Sequence, residues 1–131
     1  HTLERSSAAS DVYKRQGSNP RYECFLAEFN SEVVGLAFFT PRYSTWVGDT
    51  LHLEDLVVTK KMRGKGIGTL LYREFLLEAK QRGVKRVEWS VLDWNKTAID
   101  FYKKSGAIVD GLEKWKIVRM DKQIIEKYLS T

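Results

Sequence analysis

Between Leu53 and Leu71 the chain gathers the residue types from which a site could be built. Two adjacent carboxylates, Glu54 and Asp55, stand in an otherwise apolar run, Leu51 to Val58, broken only by His52. Lys60, Lys61, Arg63 and Lys65 then crowd around Gly64, Gly66 and Gly68. Glycine leaves its backbone N–H uncovered and reaches positive φ without strain. A helix starting at such a turn adds unpaired donors and a positive dipole end, which together attract an anion. The pattern predicts a pyrophosphate cradle formed by Arg63, Gly64, Lys65, Gly66, Ile67 and Gly68, with Glu54 and Asp55 facing a substrate. Solvated or ion-paired acids at a strand end are the plainer account of the same pair.

The flanking elements must position these residues. Tyr22 to Phe29 and Val33 to Thr40 read as an antiparallel hairpin around Asn30-Ser31-Glu32, and Pro41 is expected to end its second strand. Gly35 within that strand marks a bulge or a close backbone approach. Thr50 to Val58 is a third strand. Ile67, Leu70, Leu71, Phe75 and Ala79 share one face of the following helix, with Arg73, Glu74, Lys80 and Gln81 largely off it and Gly83 closing it. Lys85 to Leu92 is a fourth strand. Asn95 caps a short helix, Lys96 to Lys104, which Gly106 ends. Strands near Ala107–Val109 and Glu113–Met120 and an amphipathic C-terminal turn complete the chain.

Length and composition limit the alternatives. The chain has 131 residues, 43% hydrophobic and 30% charged, which fits one soluble globular domain. No apolar run approaches the roughly 18 residues of a membrane span. One cysteine, Cys24, forms no internal disulfide and suits a reducing, cytoplasmic setting. Two histidines, His1 and His52, make no metal-ligand cluster with it, so no metal is expected. The net charge of +5 raises nucleic acid as a partner. The densest basic group, Lys60 to Lys65, is already accounted for by a phosphate-bearing small ligand, so neither nucleic acid nor membrane is expected.

The order of elements and two signatures resemble the GNAT superfamily of acetyl-CoA-dependent N-acetyltransferases. Arg63, Gly66 and Gly68 fill its Arg/Gln-x-x-Gly-x-Gly/Ala loop. Asn95, Ala98, Phe101, Tyr102 and Gly106 fill its Asn-x-x-Ala-x-x-Phe-Tyr-x-x-x-Gly pattern. Tyr43-Ser-Thr-Trp46, Leu53-Glu-Asp55 and Val91-Leu-Asp-Trp-Asn95 are similar to the diamine (spermidine/spermine) and thialysine acetyltransferase branch, with a spelling that leans toward the thialysine type. The resemblance implies an α/β (α+β) fold with a mixed, mostly antiparallel twisted sheet flanked by helices. It implies a cytoplasmic, homodimeric enzyme that takes acetyl-CoA as co-substrate and acetylates a primary amine of a small polyamine or diamino acid. A protein or peptide N-acetyltransferase and a non-catalytic CoA-binding module are the alternatives.

The resemblance also assigns roles. An alkylammonium has a pKa near 10.4, so on the order of one in a few thousand is free base at pH 7 and the proton must be taken. Glu54 matches the family's general base, and Tyr102 matches the acid that protonates the departing thiolate; a packed helix aromatic is the structural alternative for Tyr102. The backbone of Val57 and Val58 would meet the pantetheine arm, as would Asn95 beside its capping role. Lys104, with Lys103, would reach the adenosine phosphates or simply face solvent. Trp46, Glu113 and Trp115 join Glu54 and Asp55 as substrate contacts, with strand or loop packing as the alternative; an aromatic beside carboxylates suits a cationic chain. Residues 1–16 read as a non-native, adapter-derived leader without regular structure, with Gly17–Pro20 as a turn-rich junction and 17–131 as the catalytic domain. The family's N-terminal strand and two helices have no counterpart, so the domain is expected to be truncated.

Overall fold

A computed structural model describes residues 2–4, 11–16, 22–111 and 113–131. It divides into two compact units: His1–Pro41 with Leu53–Glu78, and Arg42–His52 with Ala79–Thr131.

The first unit is built on consecutive antiparallel strands β1 (Thr2–Glu4), β2 (Asp11–Gln16), β3 (Glu23–Phe29) and β4 (Glu32–Ser44). The hairpin is as expected but tighter. Phe29 pairs with Glu32, so the loop is Asn30 and Ser31 alone, with φ of 51° and 65°. Positive φ at both loop positions matches the twist of the flanking strands. The register passes from Ala27↔Gly35 to Glu28↔Val33, which leaves Val34 as a bulged extra residue. Val34 and Gly35 are consecutively buried, as a bulge requires, and the Val34 carbonyl accepts the Thr59 N–H at 2.8 Å.

Gly35 is also a close approach. A Cβ there would stand 3.0 Å from Leu71 Cδ1, 3.1 Å from Ile67 Cγ2 and 3.1 Å from the Val57 carbonyl. Helix α1 (Ile67–Arg82) therefore packs its first turns directly on the β4 backbone. Further along, Phe39 lies 5.4 Å from Phe75 and 5.7 Å from Phe25 between ring centroids.

Three expectations need correction. Thr2–Glu4 and Asp11–Gln16 are strands where no regular structure was expected, because β3 offers a free edge and ladder pairing needs only backbone groups. His1, residues 5–10 and the Gly17–Pro20 junction lie outside the described residues. Strand β4 runs through Pro41 to Ser44; the β3 ladder has already ended at Glu23↔Phe39, so the missing proline N–H breaks no bond on that side. Glu74 is buried, at 5% exposure, and so is Tyr72; α1 is covered over a wider arc than a single apolar stripe.

Strand β5 (Gly48–Val58) contributes Gly48–His52 to the second unit, where Thr50–His52 pair in parallel with Arg86–Glu88 of β6 (Arg86–Leu92). Strand β8 (Trp115–Asp121) runs antiparallel to all of β6, and β7 (Ile108–Asp110) is antiparallel to β8. The pairing is thus mixed and mostly antiparallel, as the resemblance implied. Val87, Trp89, Val91, Val118 and Met120 form the buried sheet positions, with Ile99 and Tyr102 from α2 (Lys96–Lys104) and Ile125 and Leu129 from α3 (Lys122–Leu129). Asp121 caps α3 by accepting from Ile124 N–H at 2.9 Å.

Candidate active site

The glycine loop belongs to the first unit. A 3-10 turn, Lys60–Met62, is pinned by the buried Met62 and leads through Arg63 into the glycines. Gly64 and Gly66 have φ of 77° and 84°, and nothing lies within 4 Å of where a side-chain carbon would stand at either. The Gly66 carbonyl accepts from the Leu70 N–H at 3.0 Å, so Gly66 is the last residue before the helix. The N–H groups of Ile67, Gly68 and Thr69 precede the first in-helix donor and point out of the helix start. Open space at Gly64 and Gly66, the first-turn N–H groups of the helix and the exposed side chains of Arg63 and Lys65 fit a diphosphate.

Gly68 differs from its neighbours. Its φ lies outside the left-handed range, and an added carbon would meet Val58 Cγ2 at an ordinary 3.6 Å. Arg63 Nε donates to the Val58 carbonyl at 3.2 Å, which steadies the guanidinium and leaves its other N–H groups for an anion. Lys61 is paired with Glu32 at 3.3 Å, both side chains being exposed.

On β5 the strand's alternation breaks at the acids: Glu54 and Asp55 are both exposed, where strict alternation would hide one. Thr40 Oγ1 of β4 donates to Glu54 Oε1 at 3.3 Å. Thr40 had no signal in the sequence, since the partners are 14 residues apart and on different strands. The parallel ladder between β5 and β6 stops at His52↔Glu88, so Leu53–Val58, with Val57 and Val58, continues β5 beyond it.

Asn95, Tyr102, Lys104, Trp46, Glu113 and Trp115 belong to the second unit. Asn95 Oδ1 accepts from Ala98 N–H at 3.3 Å and so caps α2, as its spacing predicted. Tyr102 is 9% exposed, with its ring edge-on to Trp89 at 5.2 Å between centroids. Burial pushes its phenol above the ordinary value, and the Trp89 side chain offsets part of that by stabilising the phenolate. The phenol is therefore held protonated at neutral pH, as a proton donor must be. Lys104 is exposed in the last turn of α2, where a cation also suits the helix dipole.

The three remaining substrate candidates do not gather in one place. Trp115 pairs with Leu92, and the Lys114 carbonyl accepts from Asp93 N–H at 2.8 Å, which puts Glu113 and Trp115 beside the Asp93–Asn95 turn. Trp46, 93% exposed, sits in the turn before β5, where Ser44 Oγ accepts from the N–H groups of Trp46 and Val47. That turn adjoins the other end of β6, because β5 begins its ladder at Thr50↔Arg86. Arg86 and Leu92 are separated by roughly 20 Å of strand.

Residues 2–107 match the acetyltransferase (GNAT) family. The chain is 38% identical over 120 residues to a thialysine N-epsilon-acetyltransferase of Caenorhabditis elegans, covering 91% of this chain and 75% of that protein. It is 38% identical over 99 residues to the Bos taurus protein of the same name, covering 70% of this chain and 58% of that one. The fold matches a GNAT family acetyltransferase from Elizabethkingia anophelis, solved with acetyl-CoA bound, at a TM-score of 0.70 and 16% identity, over 84% of this chain and 96% of that one.

Proposed function

Because the chain belongs to the acetyltransferase (GNAT) family, we propose that it acetylates the side-chain amine of a small diamino acid of the thialysine, lysine or ornithine kind, with acetyl-CoA as donor. The observation that carries this is the loop at Gly64–Gly66, open and with positive φ at both glycines, set directly before the first-turn N–H groups of α1. Acetyl-CoA, when bound, supplies an acetyl thioester. Arg63, Lys65 and the backbone of Gly64 to Gly68 would hold its diphosphate, and the backbone of Val57 and Val58 its pantetheine amides. Asn95 would add a contact beyond its cap, and Lys104 one to the adenosine phosphates.

Glu54 attracts the cationic amine and takes its proton, directly or through water, so that a neutral nitrogen can attack. Tyr102 returns a proton to the departing thiolate; its buried, protonated phenol supports that role. Asp55, Glu113 and Trp115 recognise the remaining charge and alkyl chain of the substrate, with Trp46 as the outlying candidate. The same reading has the protein act as a cytoplasmic homodimer without nucleic-acid or membrane partners, and sedimentation of the purified chain tests the dimer.

Release of CoA thiol from acetyl-CoA with thialysine, lysine, ornithine, spermidine and putrescine tests the assignment. Amino-acid side-chain amines should exceed the polyamines. Tight CoA binding with no turnover on any of the five would refute a small-amine acetyltransferase.

A further inference from the structure

We infer that Thr40 is a positioning residue for Glu54, an inference that rests on Glu54 acting as base. The two side chains come from neighbouring strands, and the Thr40 hydroxyl donates to Glu54 Oε1 at 3.3 Å. Along β4 the buried positions Ala37 and Phe39 face α1 through the Phe39–Phe75 contact, and half-buried Phe38 and Thr40 alternate with them. Thr40 and Glu54 thus meet on the face turned away from the helix.

The energetics favour a directing role over a stabilising one. Glu54 is exposed, so its bond with Thr40 competes with water and adds little to folding. A glutamate on an exposed strand face has three rotatable side-chain bonds, and its terminal torsion is broad. Threonine is stiff at χ1, so its hydroxyl is a fixed donor that selects one orientation of the carboxylate. A carboxylate has about four acceptor sites, so one donation to Oε1 leaves capacity for an amine proton or a water. Proton transfer needs heavy atoms within about 2.6–3.2 Å, so orientation of the base enters the rate directly.

The test is a mutant cycle on the 131-residue chain, read by thialysine turnover, calorimetric CoA binding and the carboxyl 13C shift of Glu54 in glutamate-labelled protein. Thr40→Val keeps the shape and removes the donor. It should lower kcat about tenfold, the kinetic size of one hydrogen bond to a charged group. CoA affinity should be unchanged, and Thr40→Ser should recover most of the loss. In a Glu54→Gln background Thr40→Val should have no further effect. An unchanged kcat, or an equal loss with and without Glu54, would overturn the inference. If Glu54→Gln keeps full turnover, the base assignment fails and this role falls with it. The 13C shift separates the two failures: movement on Thr40→Val places the fault in the base assignment, and no movement places it in the hydrogen bond itself.

Discussion

Helices α1 and α2 begin in opposite ways. α2 opens on Asn95, whose side chain accepts from Ala98 N–H and satisfies one of the helix's own orphan donors. α1 opens on Gly66, which has no side chain to offer and whose positive φ turns the chain into the helix with open space around it. The capped start supports folding and helps hold Tyr102 in a buried place. The bare start forgoes a side-chain cap worth about 1 kcal/mol, the arrangement that the proposed diphosphate site would use. Where a helix start lacks its own cap, the missing partner is a clue to what binds there.

The largest effect that could break this comparison is at Gly66. Gly66→Val forces a β-branched residue to φ 84° and fills the open space, so CoA binding by calorimetry should weaken by about a hundredfold or more. Retained affinity in a folded variant would end the reading of α1 as a ligand-facing start. Next is Tyr102→Phe, which keeps the packed ring and removes the proton: kcat should fall about a hundredfold while CoA affinity holds.

The pH dependence follows from burial of the same phenol. Its folded-state value is raised, so the protonated form is favoured by the fold. That stability is fully present below the unfolded value of about 10 and is lost as pH rises through the folded one. In an ultraviolet titration the Tyr102 phenol should therefore ionise above the ordinary tyrosine range, and Tyr102→Phe should remove one late-ionising step.

Asn95→Ala should cost about 1 kcal/mol in thermal or urea unfolding, far more than it changes diphosphate binding. The smallest effect is at Gly68, where an alanine carbon finds ordinary contact with Val58. Gly68→Ala should stabilise the fold by up to about 0.5 kcal/mol in the same unfolding measurement. A loss of CoA affinity in Gly68→Ala as large as that in Gly66→Val would show that the two glycines serve one purpose.

Features written in local chemistry were legible in the sequence. Asn95 before an amphipathic run, Gly83 after one and Asn30-Ser31 between two strands each act within a few residues, and each is found in its predicted place. The Val84 N–H reaching the Ala79 carbonyl at 3.3 Å behind Gly83 is the helix stop that this glycine permits. What depends on distant partners was not legible. Burial of Glu74 depends on what surrounds α1, and extension of β4 through Pro41 depends on where β3 stops pairing. Trp46 and Trp115 were expected to serve one substrate from the resemblance and from residue type; only the parallel register of β5 and β6 sets them toward different ends of the second unit. Thr40 was invisible for the same reason.

The bulge at Val34 has a consequence for how this hairpin can change over evolutionary time. A strand's two faces have parity: add or remove one residue and every side chain beyond that point changes sides. Val34 is the odd residue that sets the parity of β4, so that Phe39 turns to Phe75 while Thr40 turns to Glu54. Single-residue insertions or deletions between Val34 and Thr40 would exchange those two addresses at once, burying the hydroxyl and exposing the ring. Paired changes would leave both intact. Length variation in this strand should therefore accumulate in steps of two, and the Asn30-Ser31 tip is where odd changes can be absorbed.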